Sequence, residues 1–199
     1  MNIHYYKADM PRPTKEQVSD QIKDAVVSVV AQNGIGAASV GEIAKAAKVS
    51  PGTIYLHFEN KDDMLQQVYL RIKYEFHHIL MKAAGAGKPM DVIRQMWLNL
   101  FDFLHRRPND FLYLEYAGAA QVLTPEQRAE VAPLQAEVNA LVQEALDRAS
   151  MASVSLDVAV NLLIGPAMHL ARKAVLSGAM PEQSEIDQTF TRVWASLRM

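Results

Sequence analysis

Three times along the chain a hydroxyl residue is followed three positions later by glutamine or glutamate: Thr14 and Gln17, Ser39 and Glu42, Thr124 and Gln127. Each pair reads as a capping box, in which the hydroxyl accepts from the N3 backbone N–H and the N3 side chain accepts from the N-cap N–H. Proline follows Thr124 directly, and again follows Ser50, at the one helical position where its missing N–H is harmless. With helix starts this frequent, and no sustained apolar–polar alternation of the strand type, the chain reads as all-α. The spacing predicts about nine helices, over 15–32, 40–47, 51–57, 61–84, 90–106, 109–122, 125–149, 156–176 and 185–197.

Composition narrows the setting. The 199 residues are half apolar and 21% charged, and a chain of that size buries a sizeable core without staples. It has no cysteine, which excludes disulfides and thiolate metal sites and suits a reducing compartment. The first thirteen residues lack the apolar run of a signal peptide, and no stretch approaches ~18 uninterrupted apolar residues. The expectation is a cytoplasmic protein with no membrane partner. Bulk charge does not announce nucleic acid: the net is −2. Residues 1–60 balance Lys7, Arg12, Lys15, Lys23, Lys45 and Lys48 against Asp9, Glu16, Asp20, Asp24, Glu42 and Glu59. Any case for nucleic acid rests on where charges sit.

The first sixty residues differ in grain from the rest, with two short helices between longer ones. The expected organisation is a small domain over 1–62 and a larger one over 63–199. On the short helix from Pro51, Ile54 and Phe58 lie one turn apart and point to one side, with Val49 just before them. Ile43 and Ala47, and Val26 and Val30, repeat that spacing on the preceding helices, so the three sets can form one miniature core. The opposite face then displays Gly52, Thr53, Tyr55 and Leu56, with His57 at its edge. A helix start suits phosphate oxygens. Gly52 allows close approach, Thr53, Tyr55 and His57 offer hydrogen-bonding groups of different reach, and Leu56 can meet a thymine methyl in the major groove. Lys61 adds a cation beyond. Two short helices joined by a tight turn, the second displayed in this way, make a helix-turn-helix.

The run from Ser39-Val40-Gly41-Glu42-Ile43-Ala44, through Val49-Ser50-Pro51-Gly52-Thr53-Ile54-Tyr55-Leu56-His57-Phe58, to Asn60-Lys61-Asp62-Asp63-Met64-Leu65 closely resembles the DNA-binding segment of TetR-family transcriptional regulators. The likeness covers residues 15–65. It implies a homodimeric repressor whose larger C-terminal part binds a small organic molecule that changes DNA affinity. Carried over by position, it places Pro51, Gly52, Thr53 and Tyr55 in or against the major groove, and Ser39, His57 and Lys61 against phosphates. Gly41 stands where many members have a polar residue near a base, which shifts readout toward Thr53, Tyr55 and Leu56. Lys48 holds the turn position usually given to glycine. The preceding segment with Lys7 and Arg12 reads as a disordered tail, with an arm for a minor groove as the alternative.

In the larger part, Leu65, Val68, Ile72, Phe76, Ile79 and Leu80 form one stripe over 61–84. Met96, Trp97, Leu100, Phe101, Phe103 and Leu104, then Phe111, Leu112, Tyr113 and Tyr116, are dense in aromatics. A ligand pocket lined by Met96, Trp97, Phe101, Phe111, Tyr113 and Tyr116, with polar groups such as Asn161, His169 or Arg172, is the binding hypothesis. The helix over 156–176 is apolar on more than one face, and Ile186, Phe190, Val193 and Leu197 follow at helical spacing. Residues 156–176 and 185–197 therefore read as half of a four-helix dimer interface. Two-fold symmetry sets the reading helices ~34 Å apart on a palindromic duplex.

One rival reading is a di-metal carboxylate bundle, as an enzyme or a metal-sensing regulator. Glu75-x-x-His78 and Asp102-x-x-His105 have the i, i+3 spacing of such sites. That site also needs inward-facing glutamates from two further helices, for which the aliphatic stripes leave few candidates, so His77 and His78 read as surface or interface residues. With no nucleophile–base arrangement and no phosphate-cradling loop, the expectation is a non-enzyme without cofactor or metal.

Overall fold

The computed structural model describes residues 14–85, 87–151 and 153–198. Among them the regular elements are all helical: α1 (Lys15–Asn33), α2 (Val40–Ala47), α3 (Pro51–Tyr55), α4 (Lys61–Met81), α5 (Pro89–Arg106), α6 (Pro108–Ala119), α7 (Pro125–Arg148), α8 (Leu156–Ser177) and α9 (Gln183–Ser196). The three capping boxes are formed. Gln17 N–H donates to Thr14 Oγ1 and Thr14 N–H to Gln17 Oε1, and the same exchange joins Ser39 with Glu42 and Thr124 with Gln127. Helices α7 and α8 run through Pro133 and Pro166 without a break. The chain divides into two compact units, one ending at Lys61 and the other starting at Asp62.

The small unit is built from α1, α2 and α3 around the miniature core that periodicity predicts. Val26, Val30, Ile43, Ala47, Ile54 and Phe58 are all buried in it, together with Ile22 and Ala44. Each large aliphatic chain so buried contributes ~1.5–3 kcal/mol. Helix α3 is shorter than the 51–57 expected. Leu56 N–H turns back to Thr53 O at 3.2 Å, and His57 N–H to Ile54 O at 2.9 Å. This tightening ends the helix and swings Phe58 into the core.

The turn between α2 and α3 carries a cost. Lys48 caps α2 in the left-handed region at φ 56° and ψ 37°, with its N–H directed at Ala44 O and Lys45 O. A side chain there is disfavoured by ~1–2 kcal/mol, whereas glycine is at ease but loses more freedom on folding. Lys48→Gly is therefore expected to stabilise the small unit by ~0.5–1 kcal/mol. Urea unfolding followed by circular dichroism reads this directly, and a lower midpoint for the glycine variant would contradict it.

In the larger unit, α5 packs on α6, α7 and α8, and α8 on α7 and α9. Tyr113 is fully buried and donates its hydroxyl to Leu65 O at 2.7 Å, tying α6 to α4. Burial, and Tyr69 close by, raise its pKa above the ordinary tyrosine value. Arg107, between α5 and α6, forms an ion pair with Asp110, reaches Glu75 Oε2 at 2.6 Å, and lies over the Phe103 ring at 5.3 Å.

Candidate nucleic-acid interface and ligand cavity

The short third helix separates its two faces sharply. Ile54 is 1% exposed, while its neighbours Tyr55 and Leu56 are 55% and 78% exposed. A tyrosine and a leucine this open, side by side on an anchored helix, have no packing role in the small unit. Pro51 and Gly52 are exposed as well, and Thr53 and His57 are half-buried at the edges of the same face. A Cβ added at Gly52 would meet nothing nearer than Ser50 Oγ at 3.7 Å, so intramolecular packing does not require glycine there. Gly41 is equally unconstrained, with Ser39 Oγ at 3.9 Å. Both positions leave open space against the backbone.

Caps engage some of the groups that sequence reasoning offered to DNA, Thr53 in the groove and Ser39 at a phosphate. Ser50 Oγ accepts from Thr53 N–H at 3.1 Å and lies 2.9 Å from Thr53 Oγ1. Pro51 has no N–H, so Gly52 supplies the free amide at the start of α3. Ser39 is exposed, but its hydroxyl donates to Glu42 Oε2 at 2.9 Å while accepting from Glu42 N–H. Lys61 is half-buried at the start of α4. The arm holding Lys7 and Arg12 lies outside the described residues.

The larger unit holds a partly open cavity of about 220 Å³. Each of four helices lends it one stripe: Lys73, Phe76, His77 and Leu80 from α4, Ile93, Met96, Trp97 and Leu100 from α5, Leu134, Gln135, Val138 and Val142 from α7, and Leu163, Ile164, Ala167 and Met168 from α8. The α4 and α5 sets have the i, i+3, i+4, i+7 spacing of one helix face. Of the residues expected to line a pocket, Met96 and Trp97 do so. Phe101, Phe111 and Tyr113 are buried in the core outside that lining, and Tyr116 is half-buried outside it. Asn161 and His169 are exposed on α8, and Arg172 is ion-paired with Glu115.

Sequence reasoning missed the polar end of the cavity. His77, read as a surface or interface residue, lines it with a side chain only 12% exposed and holds Glu137 Oε2 at 2.8 Å through Nε2. Lys73 sits one turn earlier on the same face, and burial lowers its pKa from the ordinary lysine value. The signal was present as two polar residues inside an otherwise apolar stripe.

The di-metal reading is not favoured. Glu75 accepts from Arg71 Nε at 3.2 Å and pairs with Arg107, so both its oxygens are committed to guanidinium groups. Asp102 is bound to Arg106 at 2.9 Å, and His78 and His105 are exposed. Among the described residues no group of three or more His, Asp or Glu side chains is placed to hold an ion. No helix of the described residues is long and apolar enough to cross a membrane.

Comparison with known proteins supplies the frame. Residues 22–68 match the family described as bacterial regulatory proteins, tetR family. Residues 91–198 match the tetracyclin repressor-like C-terminal domain. An uncharacterized HTH-type transcriptional regulator of Haemophilus influenzae is 38% identical over 98 residues, 49% of this chain and 52% of that protein. The HTH-type transcriptional regulator AcrR of Shigella flexneri is 30% identical over 98 residues, 47% of this chain and 46% of its own. The chain thus spans about half the length of these curated relatives. A crystal structure of a TetR family transcription regulator from Marinobacter aquaeolei VT8 superposes with a TM-score of 0.75 at 24% identity, covering 89% of this chain and 94% of that one, a likeness of fold. A small unit that packs three helices and leaves Tyr55 and Leu56 bare, joined to a larger helical unit whose family signature alone takes in more than half of the 199 residues, has one consistent parentage. The protein belongs to the TetR family of bacterial regulatory proteins.

Proposed function

We propose that the protein is a DNA-binding transcriptional regulator acting as a homodimer, a repressor released from a palindromic duplex by a small organic ligand. The observation that carries the reading is the bare face of α3, where Tyr55 and Leu56 stand out beside a fully buried Ile54. In this reading Pro51, Gly52, Thr53, Tyr55 and Leu56 enter the major groove, and Ser39, His57 and Lys61 lie against the phosphates. The small unit over 1–62 reads DNA, and the larger part over 63–199 dimerises and holds the ligand.

The partner subunit has a natural seat. Val158, Leu162 and Leu176 are exposed on α8 at spacings that bring them to one side of the helix, and His169 falls on the same stripe. An exposed apolar stripe of this kind marks an association surface. The ligand's lever is α4, which starts where the small unit ends and supplies Lys73, Phe76, His77 and Leu80 to the cavity. A molecule bound there shifts DNA affinity to the extent that it prefers one placement of α4 over another.

The test is selection of bound duplexes from random DNA, followed by titration of the winning sequence at increasing salt. A palindromic consensus is expected. Binding should weaken steeply between ~50 and ~200 mM salt, because each neutralised phosphate releases counterions with a slope near −0.9. Recovery of no preferred duplex, or binding indifferent to salt, would defeat the reading.

A further inference from the structure

We propose that the cavity of the larger unit selects a small apolar carboxylate of roughly ten heavy atoms, with the carboxylate held by Lys73 and the apolar body against Trp97, Met96 and Leu163. This assignment rests on the reading of the cavity as the ligand site.

Charge in the cavity is unbalanced. The cavity wall is aliphatic and aromatic except for Lys73, His77 and Gln135, and it includes no aspartate or glutamate. The carboxylate beside this end, Glu137, is engaged by His77 Nε2 at 2.8 Å. Among the described residues, no carboxylate lies within ion-pair distance of Lys73 Nζ. Partial burial already pushes the Lys73 pKa down, the expected response of a half-buried cation without a counter-ion. A carboxylate entering the cavity removes that deficit and is itself stabilised by a charge-assisted hydrogen bond. A neutral ligand leaves the deficit in place, and a cationic one worsens it.

Position and size narrow the class. Lys73 and His77 are one turn apart on α4, so the polar groups gather at one end, and Gln135 there is exposed to solvent. The ligand therefore has one anionic head and an uninterrupted apolar body. A dry cavity of ~150 Å³ accepts a benzene-sized molecule. At about 220 Å³ this one is filled by a medium-length acid.

The experiment compares octanoate, octan-1-ol and octylamine, equal in carbon chain and different in head group, by isothermal titration calorimetry on the full-length protein near neutral pH. Octanoate should bind at least tenfold tighter than octan-1-ol, with octylamine weakest. Lys73→Met should bring octanoate down to the alcohol's affinity while leaving the alcohol unchanged, and Lys73→Arg should keep the preference. Circular dichroism checks that both variants fold. Octan-1-ol equal to octanoate on the wild type, or an unchanged ratio in Lys73→Met, overturns the assignment of Lys73. Tight binding of the alcohol or the amine without the acid overturns the anion and leaves the cavity as a ligand site. Failure of all three to bind overturns both.

Discussion

Replacing Arg107 with alanine is expected to destabilise the larger unit by about 3 kcal/mol, the cost of breaking a largely buried ion pair by removing one partner. Asp110 is only 5% exposed, and Arg107 is its ion-pair partner. The same guanidinium reaches Glu75 and covers the Phe103 ring, so its loss also uncovers apolar surface. Urea unfolding followed by near-ultraviolet circular dichroism gives the measurement. The double variant Arg107→Ala, Asp110→Asn should recover part of the loss, because the buried side chain at 110 is then neutral. A single variant within ~0.5 kcal/mol of wild type would show that the pair is idle. The network has a pH signature too. Burial alone would raise the Glu75 pKa, but hydrogen bonds and charge from Arg107 and Arg71 outweigh it and hold the carboxyl below its ordinary value. A group depressed in the folded state gives stability that is complete above its unfolded value, about 4.3, and is lost as pH falls through the lower folded one. The gap between wild type and Glu75→Gln should accordingly close in acid.

Tyr55→Ala is expected to abolish sequence discrimination on DNA without disturbing the fold. The side chain is 55% exposed, and its neighbour Ile54 carries the packing of α3. A good base contact is worth ~1–3 kcal/mol, and in a two-fold complex it is lost twice, which amounts to roughly a thousandfold at ~2 kcal/mol per half-site. Fluorescence anisotropy on the selected duplex and on a scrambled one distinguishes the outcomes. Specific binding should fall to the scrambled level, and the scrambled level should stay where it was, since phosphate contacts set it. Discrimination that survives the substitution would remove Tyr55 from the reading face.

What was legible in the sequence follows from the range of each signal. Capping boxes and N1 prolines act within four residues, so the helix starts at Thr14, Ser39 and Thr124 were readable directly. The miniature core was readable because Ile54, Phe58, Ile43 and Ala47 sit on short helices with one apolar side each. The end of α3 was less so: whether Leu56 and His57 continue a helix or tighten into a turn depends on where Phe58 must go. The cavity was harder still. Phe101, Phe111 and Tyr113 have the same chemistry as Trp97 and Met96, and only the spacing of four helices decides which meet a void and which meet one another. His77 read as a surface or interface residue for the same reason. Asn161 and His169 point away from the cavity because Leu163, Ile164, Ala167 and Met168 already give α8 its inward side.

Trp97 on the cavity wall meets the Phe190 ring edge-on at 5.3 Å, and Phe190 stacks with Trp194 at 6.2 Å. The chain has two tryptophans, and both belong to this ladder. Ultraviolet emission excited at the indole band therefore originates entirely beside the chamber and the last helix, with none contributed by the small unit. Under the proposed reading, the same emission serves as an optical gauge of occupancy, and a titration needs neither a dye nor a label.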